Sequence, residues 1–208
     1  MRYRDLSGSI RRAGAGLLLA VAVLTVGSVM PKASSSADTP DFTPVAVAAK
    51  HMQLSLESGD WLAIGTDRHA LAEIVAPYIG VETPELENAW AVADPRRQTV
   101  IYTALSQLGL PYITNGESPD SGFDCSGLTK YSWSKAGVEL EHQSEAQLGE
   151  GEARTFDSAQ PGDLLHYPGH IGLYLGAGRG IMHAVNHATG LSIGIASDHT
   201  RNVIAPLA

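Results

Sequence analysis

The chain has 208 residues, 44% hydrophobic and 17% charged, a composition suited to one globular domain with accessory segments. Its 22 acidic and 14 basic side chains give a net charge of −8, and the charge deepens to −12 without the first 37 residues, which hold five of the basic and one of the acidic groups. Such a balance argues against nucleic acid or an anionic membrane surface as the partner.

Residues 1–37 read as an export signal. Arg2, Arg4, Arg11 and Arg12 precede an uncharged run from Ala13 to Met30, strongest over Leu17 to Val26. Pro31 and the small residues Ala33-Ser34-Ser35-Ser36-Ala37 follow, so cleavage is expected after Ser35 or Ala37. The alternative is an uncleaved anchor, for which about 18 apolar residues only just span a bilayer. No cysteine follows the run, which excludes a lipid-attached one. Both readings place the remainder outside the cytoplasm. There, cysteines are usually paired, so the one cysteine of this chain, Cys125, reads as a reactive thiol.

Residues 38–60, rich in Ser, Thr, Pro and Ala, read as a linker. Asp67 is expected to cap a helix through Tyr78, with Leu71, Ile74 and Val75 on one face and Gly80 as its stop. A second helix is expected over 85–93. Asp94-Pro95 then restarts a third, in which Val100, Ile101, Ala104, Leu105 and Leu108 follow 3.6-residue spacing to Gly109. Residues 61–93 are therefore a helical accessory segment, either packed on the rest or covering the active site. The domain proper is expected over 94–208.

Leu110-Pro111-Tyr112-Ile113 leads through the turn formers Asn115-Gly116, Ser118-Pro119-Asp120 and Ser121-Gly122 to Phe123-Asp124-Cys125-Ser126-Gly127-Leu128. Asp124 is the expected N-cap of a helix ending at Gly137, which puts Cys125 in the first turn. There the unpaired N–H groups and the helix dipole are expected to favour a thiolate, with a pKa lowered to roughly 3.5–7.5. Residues 139–157 read as an acidic, solvated loop. Short alternating strands are expected over 163–167, 170–175, 180–185 and 191–196. Helices followed by an antiparallel meander make an α+β fold.

A cysteine nucleophile needs a base and a group that holds the base. His170 opens one strand and His183 lies on the next. Pairing 170 with 183, a register sum of 353, centres the turn within Gly176-Ala177-Gly178 and makes the two histidines cross-strand neighbours. His166/His170 and His183/His187 are i, i+4 pairs, but in strands these positions stand about 13 Å apart, so no metal is expected there. His51, His69, His142, His187 and His199 read as surface or linker residues, and His166 as structural or cleft-lining. The Tyr112 hydroxyl and the Cys125 backbone N–H are candidate oxyanion or substrate-carbonyl donors. Asp124 and Ser126 complete the candidate substrate-binding or oxyanion set. Ser126 lacks the Gly-x-Ser-x-Gly context of a serine nucleophile.

In their order and spacing, Gly109-Leu110-Pro111-Tyr112, Phe123 to Leu128, Gln160-Pro161-Gly162-Asp163-Leu164, Gly169 to Gly176 and Met182-His183-Ala184 resemble the NlpC-type cysteine peptidases, papain-like endopeptidases that trim bacterial peptidoglycan. The resemblance covers residues 97–197. It implies a papain-like fold, with the Cys-bearing helix packed on an antiparallel sheet. It further implies Cys125 as nucleophile, His170 as base, His183 as the orienting residue and Tyr112 beside them. The implied substrate is the peptidoglycan stem peptide, often cut between D-γ-glutamyl and a diamino acid. The chain departs from the family at Ile113-Thr114-Asn115-Gly116, where an aromatic and two glycines are usual. It departs again at Glu141-His142-Gln143-Ser144, where Pro-Arg-x-Ser is common. The second change removes a positive charge that could face substrate carboxylates. Competing readings are an N-acetylmuramoyl-L-alanine amidase or acyltransferase on the same fold, and a non-catalytic wall-binding protein.

Overall fold

The structure, a computed structural model, describes residues 40–200 and 202–206. The export signal and the apolar run over 13–30 lie outside the described residues. No helix among the described residues is long and apolar enough to cross a membrane.

Four helices come first: α1 (Thr43–Ser58), α2 (Trp61–Ile79), α3 (Thr83–Val92) and α4 (Pro95–Leu105). The linker expected over 38–60 is thus mostly helix. Val45, Ala49 and Met52 recur at helical spacing and are buried, a stripe of small side chains that gives little apolar contrast in the sequence. The next helix begins seven residues earlier than expected, because Asp60 rather than Asp67 caps it by accepting from the Leu62 and Ala63 N–H groups. Asp67 sits inside the helix and accepts from the Ser55 hydroxyl. The stop of α2 and the start of α4 are as expected, while α4 ends at Leu105, short of the expected Gly109. Gly80 stops α2 in the left-handed region at φ 68°, and Asp94 caps α4 through the Arg96 N–H with Pro95 in the first position.

A two-stranded hairpin, β1 (Glu117–Ser118) and β2 (Gly122–Phe123), leads into α5 (Cys125–Ser134). The rest forms a six-stranded antiparallel sheet. Its strands are β3 (Glu152–Arg154), β4 (Leu164–Tyr167), β5 (His170–Tyr174), β6 (Gly180–Asn186), β7 (Gly190–Ile195) and β8 (Asn202–Ala205), in the order β3-β8-β4-β5-β6-β7. Strands β4 to β7 are those expected. β3 and β8 are additions, three and four residues long, too short to show alternation in sequence.

One sheet face, with Leu164, Ile171, Leu173, Met182, Leu191 and Ile193, shares a continuous core with Leu71, Val75, Trp90, Val100, Leu105, Leu128 and Trp133 of the helices. Segment 61–93 packs into this core through Leu71, Val75 and Trp90. Ile79 and Val81 fill the space beside Gly180 and Gly178 at the β5–β6 turn, and the Trp90 indole donates to the Leu175 carbonyl there. That is the end of β5 remote from His170.

Gln160-Pro161-Gly162-Asp163 is held to α4 by a buried ion pair. Arg97, 2% exposed, donates to Asp163 at 2.6 Å and to the Pro161 carbonyl at 2.9 Å. The second Asp163 oxygen accepts from the Gln160 N–H at 2.9 Å. Removing one partner strands the other charge in the interior, so Arg97→Ala is expected to cost about 3–5 kcal/mol. In urea titration this appears as a lower midpoint with unchanged slope.

Candidate active site

Cys125 is the first residue of α5 and Asp124 its N-cap, as the sequence implied. One Asp124 oxygen accepts from the Gly127 N–H at 2.7 Å and the Ser126 hydroxyl at 3.1 Å, and it faces His142 Nε2 at 3.0 Å. The other accepts from the Asn115 N–H at 2.9 Å. Asn115 takes φ 58°, the left-handed conformation the family's glycine would supply. A Cβ on Gly127 would collide with the Gly116 carbonyl oxygen, so only glycine lets the 113–117 loop lie this close to the helix.

These contacts correct two expectations. Asp124 and Ser126 are 8% and 6% exposed and bonded to each other, so they brace the helix start and do not line a substrate cleft. His142, expected at the surface, instead bridges carboxylates, with Nε2 on Asp124 and Nδ1 3.1 Å from Glu117. It stands where the family commonly has Arg, so the motif itself was the signal.

The expected pKa depression is also reversed. Burial pushes the Cys125 thiol up and the Asp124 charge pushes it further, while the Ile171, Ser126 and Cys125 N–H groups oppose them. The cap carboxylate thus offsets the helix dipole that was expected to favour a thiolate. The Ile171 contact places the sulfur against β5, one residue from His170.

The two histidines meet: His170 Nε2 and His183 Nδ1 are 2.9 Å apart. Their register differs from expectation. Leu173 pairs with Met182 and Tyr174 with Ile181, a sum of 355. A shift of two keeps both side chains on one face but makes them diagonal neighbours. Continuing this register puts Gly172 opposite His183, and a Cβ on Gly172 would stand 2.9 Å from the His183 Cβ. That bare position leaves room for the diagonal approach. Burial lowers the pKa of both imidazoles, His183 to about 4. A depression of about 190 Å³ opens beside the pair, lined by Tyr167, Ile181, Ile195 and Ser197.

Glu145 is a residue the sequence did not single out. Its carboxylate accepts from the Gly169 N–H at 2.9 Å and faces His166 Nε2 at 3.1 Å, pinning the turn that delivers His170. His166 is 3% exposed. Tyr112 bridges to Phe123 at the helix approach. Burial raises the pKa of its hydroxyl, with smaller pushes from Cys125 and Asp124. Among the described residues no three His, Cys, Asp or Glu side chains converge as a metal site.

Residues 109–203 match the family described as the NlpC/P60 family. Dipeptidyl-peptidase 6 of Lysinibacillus sphaericus is 43% identical over 118 residues, covering 55% of this chain and 40% of that protein. The bifunctional muramidase/DL-endopeptidase CwlT of Bacillus subtilis is 38% identical over 90 residues, covering 39% of this chain and 27% of CwlT. A solved NlpC/P60 family protein from Bacillus cereus superposes with a TM-score of 0.51 at 25% identity, over 56% of this chain and 42% of the other. The chain spans about half or less of the length of the curated relatives it matches. Sequence motifs, the Cys-bearing helix on an antiparallel sheet and these likenesses agree: residues 109–203 of this chain are similar to the NlpC/P60 family.

Proposed function

We propose that this chain is an exported cysteine endopeptidase that hydrolyses amide bonds in peptidoglycan stem peptides, at the bond between D-γ-glutamyl and a diamino acid. The observation that carries the reading is a lone thiol at a helix start, set against the residue that follows one of two hydrogen-bonded imidazoles. The relatives named as a DL-endopeptidase and a dipeptidyl-peptidase support the same class of bond.

The 2.9 Å imidazole contact fixes the proton bookkeeping. For His170 to act as base, its Nε2–H donates to His183 Nδ1, which leaves His170 Nδ1 as the acceptor for the thiol proton. His183, neutral down to about pH 4, can accept that bond throughout the working range. Cys125 Sγ then attacks the amide carbonyl as its proton passes to His170. The developing oxyanion is met by the Cys125 backbone N–H and the Tyr112 hydroxyl. His170 returns the proton to the leaving amine, and water releases the acyl-enzyme.

Mass spectrometry of products from defined muropeptides tests this. Cuts within the stem are expected. Release of the whole stem would make the protein an amidase, and binding without any product would make it a wall-binding module.

A further inference from the structure

The β6–β7 connection carries an exposed histidine that neither the fold nor the Cys–His–His chemistry uses. The register of β6 and β7 shifts by one between Ala184 and Asn186, a bulge just before the ladder closes at the Asn186–Gly190 pair. The Asn186 side chain accepts from the Ala188 and Thr189 N–H groups at 2.9 and 3.0 Å, which tightens the turn around His187. Gly190, at φ 70°, lies so close to Leu110 that a Cβ would stand 3.1 Å from its carbonyl oxygen. The turn is thereby held against the segment that carries Tyr112. His187 meets the Tyr112 ring edge-on at a centroid distance of 4.9 Å, and its Nε2 is 3.5 Å from the Thr114 hydroxyl.

The charges around this rim make the placement matter. Lys130 is bound to Glu117 at 2.6 Å, and His142 is held between Glu117 and Asp124. Lys130 of the Cys helix and His142 beside its start are thus both held by carboxylates. Among the described residues His187 has no carboxylate partner, and its Nδ1 makes no hydrogen bond.

We propose that His187, braced by Tyr112 and Thr114, is a specificity-determining residue that donates a hydrogen bond to the free α-carboxylate of the γ-linked glutamyl residue of the stem. This rests on the reading of the chain as a stem-peptide hydrolase. A γ-linkage leaves that carboxylate free, separated from the attacked carbonyl only by side-chain carbons. Tyr112 bridges to Phe123, two residues before Cys125, and His187 lies one ring further out from the Cys helix start.

The test uses two soluble stem peptides that differ only in carrying an α-carboxylate or an α-carboxamide on the γ-linked residue. The wild-type protein is expected to prefer the carboxylate by about tenfold in kcat/KM, the worth of one hydrogen bond to a charged group. His187→Ala and His187→Phe, the latter keeping the ring contact with Tyr112, should lose that preference mainly through KM. His187→Lys should restore part of it. Wild-type cleavage of both peptides with an unchanged ratio in His187→Phe overturns the proposal while leaving the hydrolase reading intact. If neither peptide is cleaved, titration of the Cys125→Ala protein and its His187→Phe double variant decides. Tighter binding of the carboxylate peptide that depends on His187 supports the subsite, and equal binding overturns it.

Discussion

Cys125→Ala is expected to leave no measurable hydrolysis, a loss of about 10⁴-fold or more, the scale seen when a nucleophile that works as a unit with its base is removed. The fold should survive it. The thiol is only partly buried, and the bonds that organise the start of α5 belong to Asp124, Gly127 and Asn115, none of which touches the sulfur. An unchanged circular dichroism spectrum and a melting temperature within a few degrees of wild type are the accompanying expectations. Because the chain has one cysteine, alkylation reports on that position alone. Inactivation by iodoacetamide should therefore follow the first equivalent of label in direct proportion. Activity persisting in a fully labelled or alanine-substituted protein would remove the thiol from the chemistry.

The parts of this site that could be read from sequence are those set by local rules. Asp124 as a cap, Cys125 in the first turn and Asp94-Pro95 as a helix start each depend on a few neighbouring residues. Strands β4 to β7 were legible because glycine- and proline-marked turns separate them. What escaped depends on contacts distant in sequence. The β5–β6 register turns on which residue faces Gly172, and turn centring alone left an error of two positions. His142 reads as surface until the loop after α5 folds back to place it on Asp124, 18 residues away. Glu145 reads as one charge in an acidic run until it reaches the Gly169 N–H, 24 residues on. The thiol pKa was misjudged for a related reason. The cap that was recognised as starting the helix also brings a negative charge to the sulfur, and burial adds to it.

His170→Ala should cost about 10³–10⁴-fold in kcat/KM, and His183→Ala markedly less, by about tenfold or more, as orienting residues are partly replaceable while bases are not. The hydrogen bond between the rings explains the order. Without His170, the imidazole next to Ile171, whose N–H meets the sulfur, is no longer there to take the thiol proton. Without His183, His170 keeps its place at the start of β5, because Glu145 pins the preceding turn through Gly169, and it loses only its preferred tautomer. His183→Gln, whose amide oxygen can accept from His170 Nε2, should therefore recover more activity than His183→Ala. The pH profile gives an independent reading. The base works when neutral, and burial lowers the His170 pKa, so the acid limb of kcat/KM should lie below pH 6.5, with activity lost as pH falls through that lowered value. Stability moves the same way. The folded-state value of His183, about 4, lies below its unfolded value, so the unfolded chain binds the proton first. Folding free energy should then fall by up to about 3 kcal/mol as pH drops from about 6.5 to about 4, a loss that His183→Gln removes. A variant order with His183→Ala the more damaging would exchange the roles of the two rings. An acid limb above pH 6.5 would mean that the imidazole taking the proton is a more exposed one than His170.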